Sequence, residues 1–314
     1  MCLRSSLGQV LKLKIWVTGG TGSLGKTLLE TLNHMGFGTI LSPTRSELDL
    51  EDHVAVGHFV QKNRPSHVFH LAAKVYGIAG HKENPQGSLV TNTRIDNSVF
   101  SALFDNPPQW IYYASTVAAY GYPYLNLPLK ESDFLNGTPH SSEAGYAISK
   151  RFALNYLEIL KREHGTKFAY GLTTNLFGSG DRFLEGRGHV VISLLEKAKR
   201  AREEGKALEV WGTGGASRDF LSTSDASRLI VSIMDLDVGV INIASGEEIT
   251  IAEIAEDIVR SFEIHQGYEF VGLNEGITNR VCSVEKLLTV SDVFETVNSR
   301  KKLRDEILKF SQLI

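Results

Sequence analysis

Thr18-Gly19-Gly20-Thr21-Gly22-Ser23-Leu24-Gly25 follows an apolar run, Leu11–Thr18, and precedes Leu24, Leu28, Leu32 and Met35 at helical spacing. Glycines 19, 22 and 25 give the spacing G-x-x-G-x-x-G. A buried strand, a tight glycine turn and a helix in that order open a βαβ unit. Lacking Cβ atoms, such a turn reaches φ > 0 and lets backbone N–H groups approach a pyrophosphate at the helix N-terminus. Gly19, Gly22, Ser23, Leu24 and Gly25 are therefore candidate phosphate-binding residues. A purely structural turn uses similar glycines, and the place directly after a strand is what separates the two readings.

Further apolar runs at Gly38–Leu41, His67–Ala72, Trp110–Ser115 and Phe168–Thr174 predict strands separated by helix-length segments. That alternation implies an α/β fold, a Rossmann-type doubly wound parallel sheet. After Asn175 the pattern loosens. Phe177–Gly188 reads as loop, Val190–Glu204 as a charged helix, Leu208–Trp211 as a strand before the turn Gly212–Gly215, and Glu247–Ser261 as a helix with Thr250 as N-cap. The expected division is a dinucleotide-binding domain of residues 1–174 plus roughly 213–244, and a smaller C-terminal substrate-binding lobe of residues 175–212 plus roughly 245–314.

Composition narrows the class. With 314 residues, 42% hydrophobic and a formal net charge of −3, the chain can bury a large core and lacks the basic surface of a general nucleic-acid binder. Cys2 and Cys282 form neither a disulfide framework nor a metal-ligand cluster. No run of ~18 apolar residues predicts a membrane span, and no signal peptide precedes the first strand. The expectation is a reduced, cytoplasmic, metal-free protein.

Two further patterns bear on chemistry. An acid at the end of the second strand would mark NAD by binding the ribose 2′-hydroxyl. Here that stretch reads Leu41-Ser42-Pro43-Thr44-Arg45, with Arg45 available for a 2′-phosphate, which favours NADPH. Glu47 lies later, and Arg45 reads equally as a solvated surface residue. Tyr146-Ala147-Ile148-Ser149-Lys150 places a phenol and an ammonium on one helix face. A nearby ammonium lowers the proton affinity of a phenol and suits it to acid–base work, although Tyr-x-x-x-Lys also occurs on surface helices. Ser115 and Thr116 end a predicted strand where a hydroxyl can bond the same substrate oxygen.

The combination of Thr18–Gly25, His70-Leu71-Ala72-Ala73, Ser115-Thr116 and Tyr146…Lys150 resembles the extended short-chain dehydrogenases/reductases, the NAD(P)-dependent nucleotide-sugar epimerases, dehydratases and reductases. The likeness runs over nearly the whole chain. It is strongest to the branch acting on GDP-4-keto-6-deoxymannose, through Thr174–Gly178, Gly188–Val191, Val210–Gly214 and Ser217–Leu221. The resemblance implies that Thr116, with Ser115 as a substitute, Tyr146, Lys150 and His189 are catalytic. It places Arg45, Asp49, Leu50, Leu71, Ala72, Ala73, Tyr146 and Lys150 along NADPH, and Asn175, His189, Lys197, Trp211 and Arg218 on the nucleotide-sugar. Residue by residue, Lys197 would contact a diphosphate, Trp211 would stack the base and Arg218 would pair with a phosphate. Without it, Trp211 reads as core and Lys197 as a charged helix face.

One departure concerns Ala118, which stands where the epimerase/reductase branch carries a cysteine that inverts carbons beside the ketone. The dehydratase branch places an Asp-Glu pair after the catalytic Thr, where this chain has Val117 and Ala118. The expected activity is NADPH-dependent reduction of a nucleotide-linked, GDP-type 4-keto-6-deoxy sugar for surface polysaccharide, by a homodimer. The alternatives are the bifunctional epimerase/reductase and a catalytically silent NADP-binding regulator.

Overall fold

In the computed structural model residues 13–75, 83–178, 190–272 and 276–312 are described. The first strand, β1 (Lys14–Thr18), is buried on both faces from Ile15 onward, as a central strand of a parallel sheet must be. The glycine turn leads into α1 (Ser23–His34), which buries Leu28 and Leu32. There follow β2 (Thr39–Leu41), α2 (His53–Asn63), β3 (His67–His70), α3 (Pro85–Asp105), β4 (Trp110–Thr116), α4 (Ala144–His164), β5 (Lys167–Thr173) and β6 (Asn175–Phe177). The remainder is α5 (Val190–Glu204), β7 (Leu208–Trp211), β8 (Ser217–Arg218), β9 (Phe220–Ser222), α6 (Thr223–Ser232), β10 (Gly239–Ile243), β11 (Ile249–Thr250), α7 (Ile251–Ser261), β12 (Tyr268–Val271), β13 (Asn279–Arg280), α8 (Glu285–Val290) and α9 (Ser299–Gln312).

Six strands pair in the order β10-β5-β4-β3-β1-β2, every pairing parallel. This is the doubly wound Rossmann-type sheet, with its order reversing beside β1, where such sheets open a ligand crevice at the carboxyl ends of the strands. One core layer packs Val56, Val60, Val99, Leu103, Leu157 and Leu160 beneath one face. Ile15, Val17, Leu28, Leu229 and Ile230 fill the other. A separate cluster, including Leu194, Val210, Phe220, Ile254, Ile258 and Ile307, joins α5, β7, β9, α7 and α9. No helix among the described residues is long and apolar enough to cross a membrane.

Several elements differ from the predicted ones. β3 stops at His70 because the Leu71 and Ala72 N–H groups leave the ladder and donate to Thr18 Oγ1. The predicted helix over Glu247–Ser261 begins only at Ile251. Thr250 is its N-cap in a reciprocal capping box with Glu253, while Glu247 accepts from the Ser299 and Arg300 N–H groups at the head of α9. Phe177, read as loop, ends β6. β10 was not anticipated; its five residues complete the sheet by pairing with β5. Most of the predicted loop, and His189, lie outside the described residues.

Asp219 ties the segments after β5 and β10 together. Its carboxylate accepts from Ser245 N–H at 3.0 Å, Ser245 Oγ at 2.8 Å and Gly246 N–H at 2.9 Å. Its carbonyl accepts from Thr174 Oγ1 and Asn175 Nδ2, each at 2.9 Å. Burial pushes the carboxyl up to about 6 against those donors. A carboxyl raised on folding stabilises most below its unfolded value, and that contribution fades as pH rises through about 6. The Asp219→Ala variant, which orphans buried donors, is expected to lose roughly 3 kcal/mol in urea denaturation. The deficit should shrink as pH is raised from about 4 to about 7.

Candidate active site

The glycine turn is built as a cradle. A Cβ on Gly19, whose φ is +71°, would lie 2.8 Å from Ala72 N, and one on Gly25 would lie 2.2 Å from Gly19 O. The α1 N-cap is Gly22, with no side-chain cap on the first-turn N–H groups. Ser23 Oγ beside them is buried and has no hydrogen-bond partner among the described residues. Uncapped N–H groups and an orphaned hydroxyl at a helix N-terminus are the donor set that a dinucleotide pyrophosphate requires, so the residues present fit that group.

The segment after β2 is ordered by its own side chains. Glu47 Oε2 accepts from Thr44 N–H at 2.7 Å and Thr44 Oγ1 at 2.8 Å, so this acid closes a turn. Arg45 is exposed and paired with Glu51 at 3.1 Å and Asp49 at 3.8 Å. A 2′-phosphate at this edge would compete with those two carboxylates for the guanidinium. Asp49 also accepts the Glu51 N–H, and Leu50 packs against the core. Leu71, Ala72 and Ala73 follow β3 beside Gly19, held by the two bonds to Thr18.

Tyr146 and Lys150 sit in the first two turns of α4. Lys150 is 1% exposed, and its Nζ lies 4.5 Å from the Tyr113 ring centroid and 5.8 Å from that of Tyr146. Any lowering of the tyrosine by Lys150 is outweighed at this site. Burial first, then the charges of Asp96 and Glu143, push the Tyr146 phenol up. Burial also lowers the Lys150 ammonium, opposed by Asp96. Thr116 ends β4 and caps the 3-10 turn Val117–Ala119, its Oγ1 accepting the Ala118 N–H at 3.2 Å. Its own proton has no acceptor among the described residues. Ser115, the suggested substitute, points the other way, donating at 2.7 Å to Tyr170, which donates in turn to the Lys150 carbonyl. A side chain one position along a strand faces the opposite side of the sheet, which removes Ser115 as an alternative to Thr116.

At the far end of the chain Trp211 is 76% exposed, so it is no core residue. Lys197 reaches the Glu209 carbonyl at 3.2 Å. Arg218 donates to the carbonyls of Ser217, Thr278 and Ile277 at 2.7, 3.0 and 2.8 Å, leaving two of its five donors without an acceptor among the described residues. Burial and the neighbouring Arg280 lower it to about 10. Asn175 binds Asp219 as described above.

Sequence reasoning missed three groups. Arg280, 5% exposed, donates to Tyr124 at 2.8 Å and pairs with Glu143, three residues ahead of Tyr146. Arg151 on α4 donates to the carbonyls of Ala119, Phe134 and Gly137 at 2.6, 3.0 and 2.7 Å, fixing the turn with Thr116 against the helix with Tyr146. Asp96 lies buried on α3, and its charge acts on both Tyr146 and Lys150. These partners are far apart in sequence, and a run of residues carries no signal for such pairings.

A model of the NAD dependent epimerase/dehydratase family matches residues 15–244. This chain belongs to that family. It is 30% identical over 261 residues to GDP-L-fucose synthase 1 of Arabidopsis thaliana, spanning 82% of this chain and 80% of that one. A solved GDP-L-fucose synthetase from Naegleria fowleri aligns with a TM-score of 0.83 at 25% identity, over 96% of this chain and 93% of that one. A GDP-mannoheptose C4 reductase from Campylobacter jejuni, solved with NADP bound, shares the fold with a TM-score of 0.83 at 23% identity, over 96% and 98% of the two chains. As a member of the epimerase/dehydratase family, the chain is a nicotinamide-dependent oxidoreductase. In Gly25→Ala, the new Cβ collides with the Gly19 carbonyl, and dinucleotide affinity by fluorescence titration is expected to fall more than about ten-fold.

Proposed function

We propose that the chain reduces the 4-keto group of a GDP-linked 4-keto-6-deoxy sugar with NADPH, making an activated sugar for surface polysaccharide in the cytoplasm. The carrying observation is the reduction machinery on β4 and α4, namely Thr116 at a strand end, with Tyr146 and Lys150 on the helix that Arg151 clamps to it. The relative in Arabidopsis and the neighbour from Campylobacter, named for GDP-sugar chemistry, support the substrate class. Exposed Trp211 offers a face for a base, and Arg218 keeps two donors for a phosphate. His189 is assigned to the sugar on resemblance alone. The apolar face formed by Leu89, Val90, Ile148 and Phe152 on α3 and α4 supports a homodimer.

The chain's own groups act on the carbonyl oxygen. Thr116 donates a hydrogen bond to it. Tyr146, kept protonated by burial, donates its proton as the oxygen becomes an alkoxide, and Lys150 steadies the phenolate that remains. NADPH supplies the hydride to C4, which balances the reduction. Ala118 supplies no acid or base, so inversion at C3 or C5 is absent from the reading. The bifunctional epimerase/reductase remains the second reading because the named relatives are GDP-L-fucose synthases.

Turnover with a panel of 4-keto nucleotide sugars in D2O separates the two. Reduction with no deuterium at C3 or C5 is expected, and deuterium at either carbon would install the epimerase/reductase in its place. Tyr146→Phe is expected to lower kcat about 10²–10⁴-fold while NADPH affinity stays within a few-fold. Turnover near wild type would remove this mechanism. Arg45→Ala should raise the KM for NADPH about ten-fold and leave that for NADH unchanged. Equal effects on both would remove the 2′-phosphate role.

A further inference from the structure

Asp96 on α3 is 2% exposed and is bonded to both His70 and Tyr113. Its Oδ1 is 3.1 Å from His70 Nε2, and its Oδ2 accepts the Tyr113 O–H at 2.8 Å. His70 Nδ1 is 2.7 Å from Thr18 Oγ1, which accepts the Leu71 and Ala72 N–H groups, each at 3.1 Å. Two N–H groups fill both lone pairs of the Thr18 hydroxyl, so it donates to His70 Nδ1. His70 then carries its proton on Nε2 and donates to Asp96. The carboxylate is left as the common acceptor at the end of both arms.

Lys150 lies over the face of the Tyr113 ring, with Nζ 4.5 Å from the ring centroid. Among the described residues Lys150 makes no ion pair. A phenol that donates to a carboxylate gains electron density in its ring, which strengthens attraction for a cation over its face. Tyr170 stacks on the same ring, 5.5 Å between centroids, and donates to the Lys150 carbonyl, so the ring is held in place. Asp96 opposes the effect of burial on the lysine.

We propose that Asp96 is a positioning residue for both halves of the reaction centre. Across the Tyr113 ring it is the counter-charge that keeps Lys150 an ammonium. Through His70 and Thr18 it anchors the Leu71–Ala72 turn that packs on Gly19. The turnover half of this proposal rests on the reductase reading above; the cofactor half does not.

The test uses Asp96→Asn, Tyr113→Phe and Thr18→Val in the full-length protein, with NADPH affinity by fluorescence titration and kcat on the 4-keto sugar that wild type reduces. Tyr113→Phe cuts only the lysine arm and should lower kcat about ten-fold, with NADPH affinity within about two-fold. Thr18→Val cuts only the cofactor arm and should weaken NADPH about ten-fold, with saturated kcat within about two-fold. Asp96→Asn should do both. If Asp96→Asn folds and changes neither, or if all three variants move both quantities in step with Tm, the network is structural and the proposal fails. Should Asp96→Asn not fold, the split between the other two variants decides. If wild type reduces no sugar in the panel, the functional reading fails, while the NADPH titrations still judge the cofactor arm.

Discussion

The contact between the Gly19 turn and the Ala72 backbone governs much of this molecule. Two chain segments from neighbouring strands come closer than any side chain on Gly19 would permit. They do so at the point where the sheet order reverses. Thr18 makes that approach possible by taking the two N–H groups that leave the β3 ladder, so the price of ending the strand early is met within one residue of the turn. The helix that follows then starts with its first N–H groups uncapped by any side chain and with the buried Ser23 hydroxyl unpartnered among the described residues.

The second half of the site depends on one helix. α4 carries Tyr146, Lys150 and Arg151 within two turns, and each faces a different task. Lys150 is buried over an aromatic ring, and Arg151 holds three carbonyls of the irregular segment after β4. Asp96 raises the proton affinity of both Tyr146 and Lys150. A raised affinity keeps Tyr146 protonated before the reaction but makes it a weaker acid, so the transfer depends on the developing alkoxide being the stronger base and on Lys150 steadying the phenolate.

Local pattern made some of this legible, and contact between distant residues hid the rest. The glycine spacing, the Tyr146/Lys150 pair, the N-cap Thr250 and the strands at residues 110 and 168 all declare themselves within a few neighbours. β10 did not, because its five residues at the sheet edge show no distinct period. The orientation of Ser115 is set by Tyr170, and the pairing of Arg280 with Glu143 joins residues 137 positions apart. Without the resemblance Trp211 reads as core, because large aromatics usually are. Only the two-stranded pairing of β7 with β12 turns it outward.

Arg151 has an evolutionary corollary. A single guanidinium holds the peptide groups of Ala119, Phe134 and Gly137, and none of those bonds involves a side chain of the segment it holds. The side chain at a position such as Ala118 is therefore free of Arg151, whereas Tyr120, Gly121 and Tyr124 are held by contacts of their own. New side chains at Ala118 or its neighbours would be presented on an inherited backbone, and a lineage could exchange its chemistry there without rebuilding the architecture that displays it.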